Sequence, residues 1–298
     1  MSSPFLEVYC VVENESAARS AIDANPEGNV MAMKIAGALL LSPMLGWYSA
    51  AAAQDLRDFC PDRPGLGTPA CTIDRGHAAI ELGVADWTLD RRAGTRADTF
   101  VFGDLLIRYG LTDSLEAQLS WQGAGYVRAR DATGGVSKQT GTGDIRLALR
   151  QNLANPDGSG FSLAVMPFVT LPTGGSAIGA GDWTAGLLLP ISYPLAKDVL
   201  IAFTGEIDDA ADEQGGGHHL AYSGIMGVDV PLTHSLTSTI ELTAARDEEA
   251  GQRSTQMLAG LSLAWMKGKS LQFDAGTNLG LNKDAPDVEV YAGVARRF

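Results

Sequence analysis

The sequence predicts an all-β protein: a closed antiparallel transmembrane β-barrel of about 12 strands, preceded by a signal peptide. Three observations carry this. Segments of roughly ten residues recur in which every second side chain is apolar; charged side chains fall on the alternate positions; and the chain ends on an aromatic residue, Phe298. A period of two is the side-chain period of a strand. Apolar outside and ionic inside is the arrangement a bilayer imposes, because hydrocarbon cannot solvate the free edge of an open sheet. In residues 115–121, Leu115, Ala117, Leu119 and Trp121 share one face, and Glu116, Gln118 and Ser120 share the other. Ile145, Leu147 and Leu149 alternate in the same way with Asp144, Arg146 and Arg150, and the rhythm returns in 271–280 and 288–298.

Along the chain, residues 1–32 come first, acidic at Glu7, Glu13, Glu15, Asp23 and Glu27 and without strand alternation; they read as a wrong translation start or a disordered extension. Residues 33–53 follow with Met33-Lys34, the apolar run 35–41 and the small residues 49–53, the form of a secretory signal cleaved after Ala53. An internal anchor is disfavoured, since the apolar run is too short to span a bilayer comfortably. Without residues 1–53 the chain loses five acidic and two basic side chains, leaving 30 against 20 and a formal charge of −10. Nucleic acid is thereby excluded as a partner. Mean hydropathy is +0.03 although 45% of residues are hydrophobic; alternation averages a barrel's signal away, so the profile does not argue for a soluble protein.

Residues 54–75, rich in Pro and Gly, carry Cys60 and Cys71, the two cysteines left once Cys10 is removed with the leader. In an exported chain they most simply form one disulfide, worth about 2–4 kcal/mol to whatever it closes. A metal site is the weaker reading, because two thiols without nearby histidines supply too few ligands. The segment either hangs in the periplasm or folds into the lumen as a plug. Residues 76–298 form the barrel, with strands expected near 78–88, 98–109, 114–124, 142–151, 161–171, 182–193, 198–207, 219–230, 236–246, 254–266, 270–280 and 287–298. Short turn-rich links at 110–113, 194–197, 231–235 and 267–269 alternate with longer polar stretches at 125–141, 172–181, 208–218 and 247–253, as periplasmic turns alternate with external loops. The link 152–160 is long for a periplasmic turn. Trp87, Tyr109, Trp121, Trp183, Tyr193, Tyr222 and Trp265 fall near strand ends, where interfacial aromatics belong.

Parity points Asp104, Arg108, Glu116, Asp144, Arg146, Arg150, Glu206, Glu241, Asp274, Glu289 and Arg297 inward. Opposed charges of this kind either line a narrow pore and bias solute passage or fill a closed, salt-bridged interior. His219 and Ser223 share the inward face but sit about 13 Å apart along a strand, too far for a nucleophile and its base. His218 and His219 point to opposite faces, so they do not make a metal pair. The acidic clusters Asp208, Asp209, Asp212, Glu213 and Asp247, Glu248, Glu249 fit divalent cations bridging lipopolysaccharide, and equally fit solvated loop tips. No metal and no cofactor are implied.

Residues 59–71 (FCPDRPGLGTPAC), 108–121 (RYGLTDSLEAQLSW), 143–150 (GDIRLALR), 167–174 (PFVTLPTG) and the closing strand 288–298 resemble the putative MetA-pathway of phenol degradation family of outer-membrane transporter-like barrels. The resemblance covers nearly all of 54–298. It implies a barrel that admits small hydrophobic or aromatic compounds; the chain itself is read as non-enzymatic. The last strand also looks like the terminal signal read by the barrel-assembly machinery, with Phe298, Val294, Ala292 and Val290 on one face; Arg296 departs from that pattern. The expectation is a passive, porin-like route for small solutes in the bacterial outer membrane, in contact with its lipid. The rivals are a barrel hydrolase acting on lipid with His219 as base, and a structural barrel that conducts nothing.

Overall fold

Thirteen strands form one antiparallel sheet that closes on itself, in a computed structural model describing residues 56–196, 199–212 and 216–298. The expected signal peptide and the residues before it lie outside the described residues. The strands are β1 (Ala78–Arg92), β2 (Thr95–Gly110), β3 (Leu115–Arg130), β4 (Val136–Gly141), β5 (Ile145–Ala154), β6 (Ser162–Leu171), β7 (Thr184–Ala196), β8 (Val199–Ala211), β9 (His218–Pro231), β10 (Leu236–Asp247), β11 (Ser254–Lys267), β12 (Leu271–Gly280) and β13 (Val288–Arg297). Each pairs with its sequence neighbours except β4 and β5, which both pair with β3 and not with each other, and β1 pairs with both β2 and β13, which seals the ring.

The ring has twelve positions, because β4 and β5 share one of them. β3 pairs with β5 from Leu115 to Trp121 and with β4 from Gly125 to Arg130. The polar stretch 125–141, expected as an external loop, is therefore largely a hairpin. Its Ser, Lys, Gln, Thr and Gly side chains carry no hydrophobic period because they stand beyond the apolar band, so the alternation that reveals a strand is missing there. At its tip Asp131 Oδ1 accepts the amides of Thr133 and Gly135, each at 2.8 Å. The ladder breaks at 142–144, where the Gly143 amide donates to the Gln122 carbonyl at 2.9 Å. The Gln122 side chain fills the space a Cβ on Gly143 would need.

Burial is inverted relative to a soluble protein. The largest fully buried side chains include Arg108, Arg150, Glu81 and Glu116, while Ile107, Leu119, Leu149, Ile207, Met226, Leu242, Leu261 and Phe273 are exposed. Sheet closure satisfies the backbone edge, and these outward apolar side chains meet lipid. Tyr109, Tyr193 and Trp265 are exposed near the end of the barrel that carries Phe298, and Trp183 and Tyr222 toward the far end. Trp87 is half-buried and reaches Asp98 Oδ1 at 3.4 Å.

Two departures from pattern acquire reasons. The long link 155–161 turns back under the lumen, where the Pro156 carbonyl accepts the Thr72 amide at 3.0 Å; its length serves a contact, not a turn. Arg296 is outward-facing, as parity requires, and its Cζ lies 5.0 Å from the Phe298 ring centroid. That cation–π contact, at the end of the strand, offsets the cost of a charge on the lipid face.

Depth on the lipid face decides the cost of a charge. Leu242→Arg, mid-strand in β10, is expected to lower stability by about 2–4 kcal/mol, whereas Arg296→Val changes it by no more than about 1 kcal/mol. Urea unfolding in lipid vesicles measures both; equal effects would remove Leu242 from the bilayer interior.

Candidate functional site: a plugged lumen

The lumen is occupied by the chain's own N-terminal segment. Residues 56–77 enter at the end that carries Phe298. There Arg57 Nε lies 2.9 Å from Asp74 Oδ1, and Arg297 Nη1 donates to the Arg57 carbonyl at 2.6 Å and to Asp74 Oδ2 at 3.3 Å. Cys60 and Cys71 form a disulfide, with Cα atoms 6.5 Å apart, closing a loop whose apex runs through residues 64–69.

A Pro- and Gly-rich loop has no ladder to satisfy its backbone, and a buried amide must find an acceptor. Carboxylates projecting from the barrel wall supply them. Glu81 of β1 accepts the amides of Asp62 and Arg63, both at 2.9 Å. Glu241 of β10 accepts those of Leu66 and Gly67, both at 2.8 Å. Glu116 of β3 accepts that of Ile73 at 2.8 Å, and Thr204 of β8 exchanges hydrogen bonds with both backbone groups of Thr68. The approach of Glu241 explains the glycines of this motif. A Cβ at Gly65, where φ is +100°, would fall 2.6 Å from Glu241 Oε2, and one at Gly67 would fall 2.9 Å from Oε1.

Charge fastens the same loop. Arg108 of β2 lies 2.9 Å from Asp62, 3.1 Å from Glu81 and 2.9 Å from Glu116. Arg150 of β5 lies 2.5 Å from Asp62 and 3.2 Å from Glu116. Both guanidiniums also donate to the carbonyls at the disulfide, Arg108 to Cys60 at 2.7 Å and Arg150 to Cys71 at 3.1 Å. None of these five side chains is more than 2% exposed. Burial alone would raise the Asp62 pKa, but Arg108 and Arg150 outweigh it and hold the carboxyl below its ordinary range. On the opposite flank Arg63 pairs with Asp274 of β12 at 2.9 Å, and Gln272 donates to the Arg63 carbonyl at 2.7 Å.

The residues singled out by parity thus divide. Arg108, Glu116, Arg150, Glu241, Asp274 and Arg297 bind the plug. Asp144 sits nearer the far mouth and accepts the amides of Gly174 and Ala180 at 2.6 and 2.7 Å, drawing loop 172–183 inward so that Ala177 and Ile178 bury against Val127. Arg146 reaches Glu206 at 3.3 Å and stacks on Phe168, 3.4 Å from its ring centroid. Glu289 accepts from Asn278 at 2.6 Å, and Asp104 is half-buried beside Gly83. Glu81 escaped the sequence analysis, though its place between Ile80 and Leu82 carries the same alternation. Asp62 and Arg63 escaped because their partners are distant in sequence. His219 is engaged by Asp212 and Asp247 at 2.8 and 3.1 Å and not by Ser223.

Beside the plug, toward the terminal end, a cavity of about 260 Å³ remains against β7 to β12. Phe59, Pro64, Leu200 and Met266 give it an apolar lining, and Asp229 and Thr239 a polar one.

Comparison with known proteins follows the same architecture. The profile of the family described as "Putative MetA-pathway of phenol degradation" matches residues 61–298. A search of curated proteins found no match. Among solved structures, the beta domain of the Bordetella autotransporter BrkA aligns at 12% identity and a TM-score of 0.50, covering 76% of this chain and 100% of that one. KdgM porin aligns at 11% and 0.48, covering 74% and 99%, and NanC porin at 8% and 0.47, covering 74% and 98%. The likeness to the BrkA beta domain, at 12% identity, is one of fold alone. The fold is that of an outer-membrane barrel, and the greasy exterior around an ionised interior places it in the bacterial outer membrane.

Removing Arg108 leaves the buried Glu81 without a counter-charge and leaves Asp62 and Glu116 to Arg150 alone. Arg108→Leu is expected to destabilise the docked plug by about 3–5 kcal/mol, and Cys60→Ser with Cys71→Ser by about 2–4 kcal/mol. Limited proteolysis of the folded barrel reads this as cleavage within residues 56–75; an uncleaved segment in both variants would contradict the fastening described.

Proposed function

The chain belongs to the Putative MetA-pathway of phenol degradation family, and on that premise we propose that it is a passive route for small solutes across the outer membrane, held closed at rest by its own disulfide-bridged plug. The observation that carries this reading is the asymmetric filling of the lumen. The ion-pair network fastens the plug to β1–β3, β5, β12 and β13, while the 260 Å³ cavity lies along the other flank. There the wall presents small side chains, Ser192, Ala202, Gly227 and Ala264, so space for a solute exists before anything moves.

The lining favours a small hydrophobic or aromatic solute. Proline rings, Phe59, Leu200 and Met266 shed water from an apolar body, and Asp229, whose carboxylate accepts from Thr239 at 2.6 Å, offers an acceptor to a hydroxyl. Solute passes from the far mouth down its gradient, past loop 172–183 and along the plug, with the inward charges ordering water beside it. No catalytic step is required, and lipid is the barrel's surrounding partner. Outward Phe298, Ala292 and Val294 support the closing strand as the signal presented to the assembly machinery. A second reading, a structural barrel that conducts nothing, draws its support from the completeness of the plug network.

Planar-bilayer recording separates the two. The wild type is expected to show small, discrete conductance steps. Thr204→Val with Glu241→Gln, which weakens the hold of β8 and β10 on the plug apex, is expected to raise the open fraction several-fold and to speed entry of phenol into liposomes. Silence in both proteins would establish the closed barrel.

A further inference from the structure

At the far mouth, the inward face of β8 to β11 carries a cluster that the plug does not touch. Asp208, Ala221, Asp247 and Ser254 stand in one cross-strand row, and His219 lies one row nearer the mouth, opposite Ala210. His219 Nδ1 is 2.8 Å from Asp212 Oδ1, and its Nε2 is 3.1 Å from Asp247 Oδ2. A neutral imidazole has one N–H, so one of these contacts sets a lone pair against a carboxylate. Asp247 is aimed by its other oxygen, which accepts the Glu249 amide at 2.8 Å. One ligand atom each from His219, Asp247 and Glu249 lies within 4.8 Å of the others. Below them is a cavity of about 20 Å³, room for a single water or ion, lined by Glu206, Asp208, Ser223 and Asp247. Asp208, 5% exposed, stands at the edge of this cavity with its Oδ1 leaning over Gly186 of β7.

We propose that this cluster is a binding site for a divalent transition-metal ion of the zinc type, with His219, Asp247 and Glu249 as ligands and Asp212 as the group that orients the imidazole. An imidazole donor beside carboxylates selects zinc-like ions over calcium or magnesium, which take oxygen alone. A carboxylate on the second ring nitrogen is the arrangement that fixes the tautomer of a ligating histidine. Charge argues the same way. The nearby guanidiniums are engaged elsewhere, Arg146 with Glu206 at 3.3 Å and Arg246 with Glu248 at 2.8 Å. An imidazolium brings one positive charge to the two carboxylates that flank it, Asp212 and Asp247; a divalent ion brings two, and leaves the imidazole neutral with its single N–H on Asp212. Zinc bonds of about 2.0–2.2 Å require the ligand atoms to draw together by about 1 Å, which the residues after β10 supply by closing on β9. The ion would then join Asp212, just past β8, to the segment after β10 and brace the mouth.

The test uses the full chain, untagged, folded in detergent and stripped with EDTA. Titration calorimetry with zinc chloride is expected to show one equivalent bound, and cobalt(II) substitution to give visible ligand-field bands. His219→Ala and Asp247→Asn are expected to lose zinc affinity by at least about 100-fold, and Asp212→Asn by about 10–100-fold, with folding checked by heat-dependent gel mobility. Were His219→Ala not to fold, Asp247→Asn and the cobalt spectrum of the wild type decide. No saturable zinc uptake, or uptake unchanged in the variants, overturns the site and leaves His219 as an imidazolium between two carboxylates.

Discussion

Everything in this lumen answers to one constraint: ionised side chains enclosed by a lipid-facing wall must find their counter-charges and donors inside it. Asp62, Glu81 and Glu116 meet Arg108 and Arg150 with side chains at most 2% exposed. Desolvating such groups costs several kcal/mol each, which excellent geometry and additional hydrogen bonds must repay. The repayment comes from the plug. Its amides complete Glu81 and Glu116, its carbonyls at Cys60 and Cys71 complete the two arginines, and its Asp62 bridges them. Wall and plug are therefore one electrostatic unit. A barrel without the segment would hold two guanidiniums and two carboxylates with a large part of their partners gone, and water would have to enter to solvate them.

The disulfide acts on the same unit by entropy. Residues 60–71 have neither helix nor ladder, so their order rests on side chains of the wall. Closing the loop covalently reduces the freedom that docking must remove. The carbonyls that Arg108 and Arg150 grasp belong to the two cysteines themselves, so the cross-link fixes the distance between two anchoring points.

The barrel was legible in the sequence because period-two alternation is local. Each strand carries its own lipid-facing stripe, as Leu115 to Trp121 does, and the strand windows agree with the observed ends to within a few residues wherever apolar side chains continue. The ends drift where they stop. β1 and β2 run on through Arg91, Arg92 and Arg96, and β3 continues to Arg130 against β4, all beyond the hydrophobic band. Inward charge was legible by the same parity, Glu81 included in principle. What the charges hold was not. Asp274 meets Arg63 across 211 residues, and Glu241 meets Gly67 across 174; no local period encodes such pairs. The plug's position left one trace in the sequence, the glycines at 65 and 67, whose need is apparent only once Glu241 stands against them.

The plug's fastening is uneven, and that unevenness has a direction. Full ion pairs hold it on the β1–β3, β5 and β12–β13 flank, whereas on the β8–β10 flank it is held by Glu241 accepting two amides and by Thr204. A hydrogen bond to a neutral hydroxyl contributes about 0.5–1.5 kcal/mol net and one to a carboxylate about 1.5–3 kcal/mol, against about 3–5 kcal/mol for each buried ion pair broken by removing one partner. The apex also buries Leu66 against Ile225 and Leu258, so leaving the β8–β10 wall has a real cost, but one that breaks no ion pair, unlike leaving Arg108 and Arg150. A loop that pivots on its disulfide end and yields at its apex opens space where the cavity already lies, against Ala202, Gly227 and Ala264. Gating by partial release of the apex therefore demands less free energy than ejecting the whole segment, and it keeps the buried arginines partnered throughout.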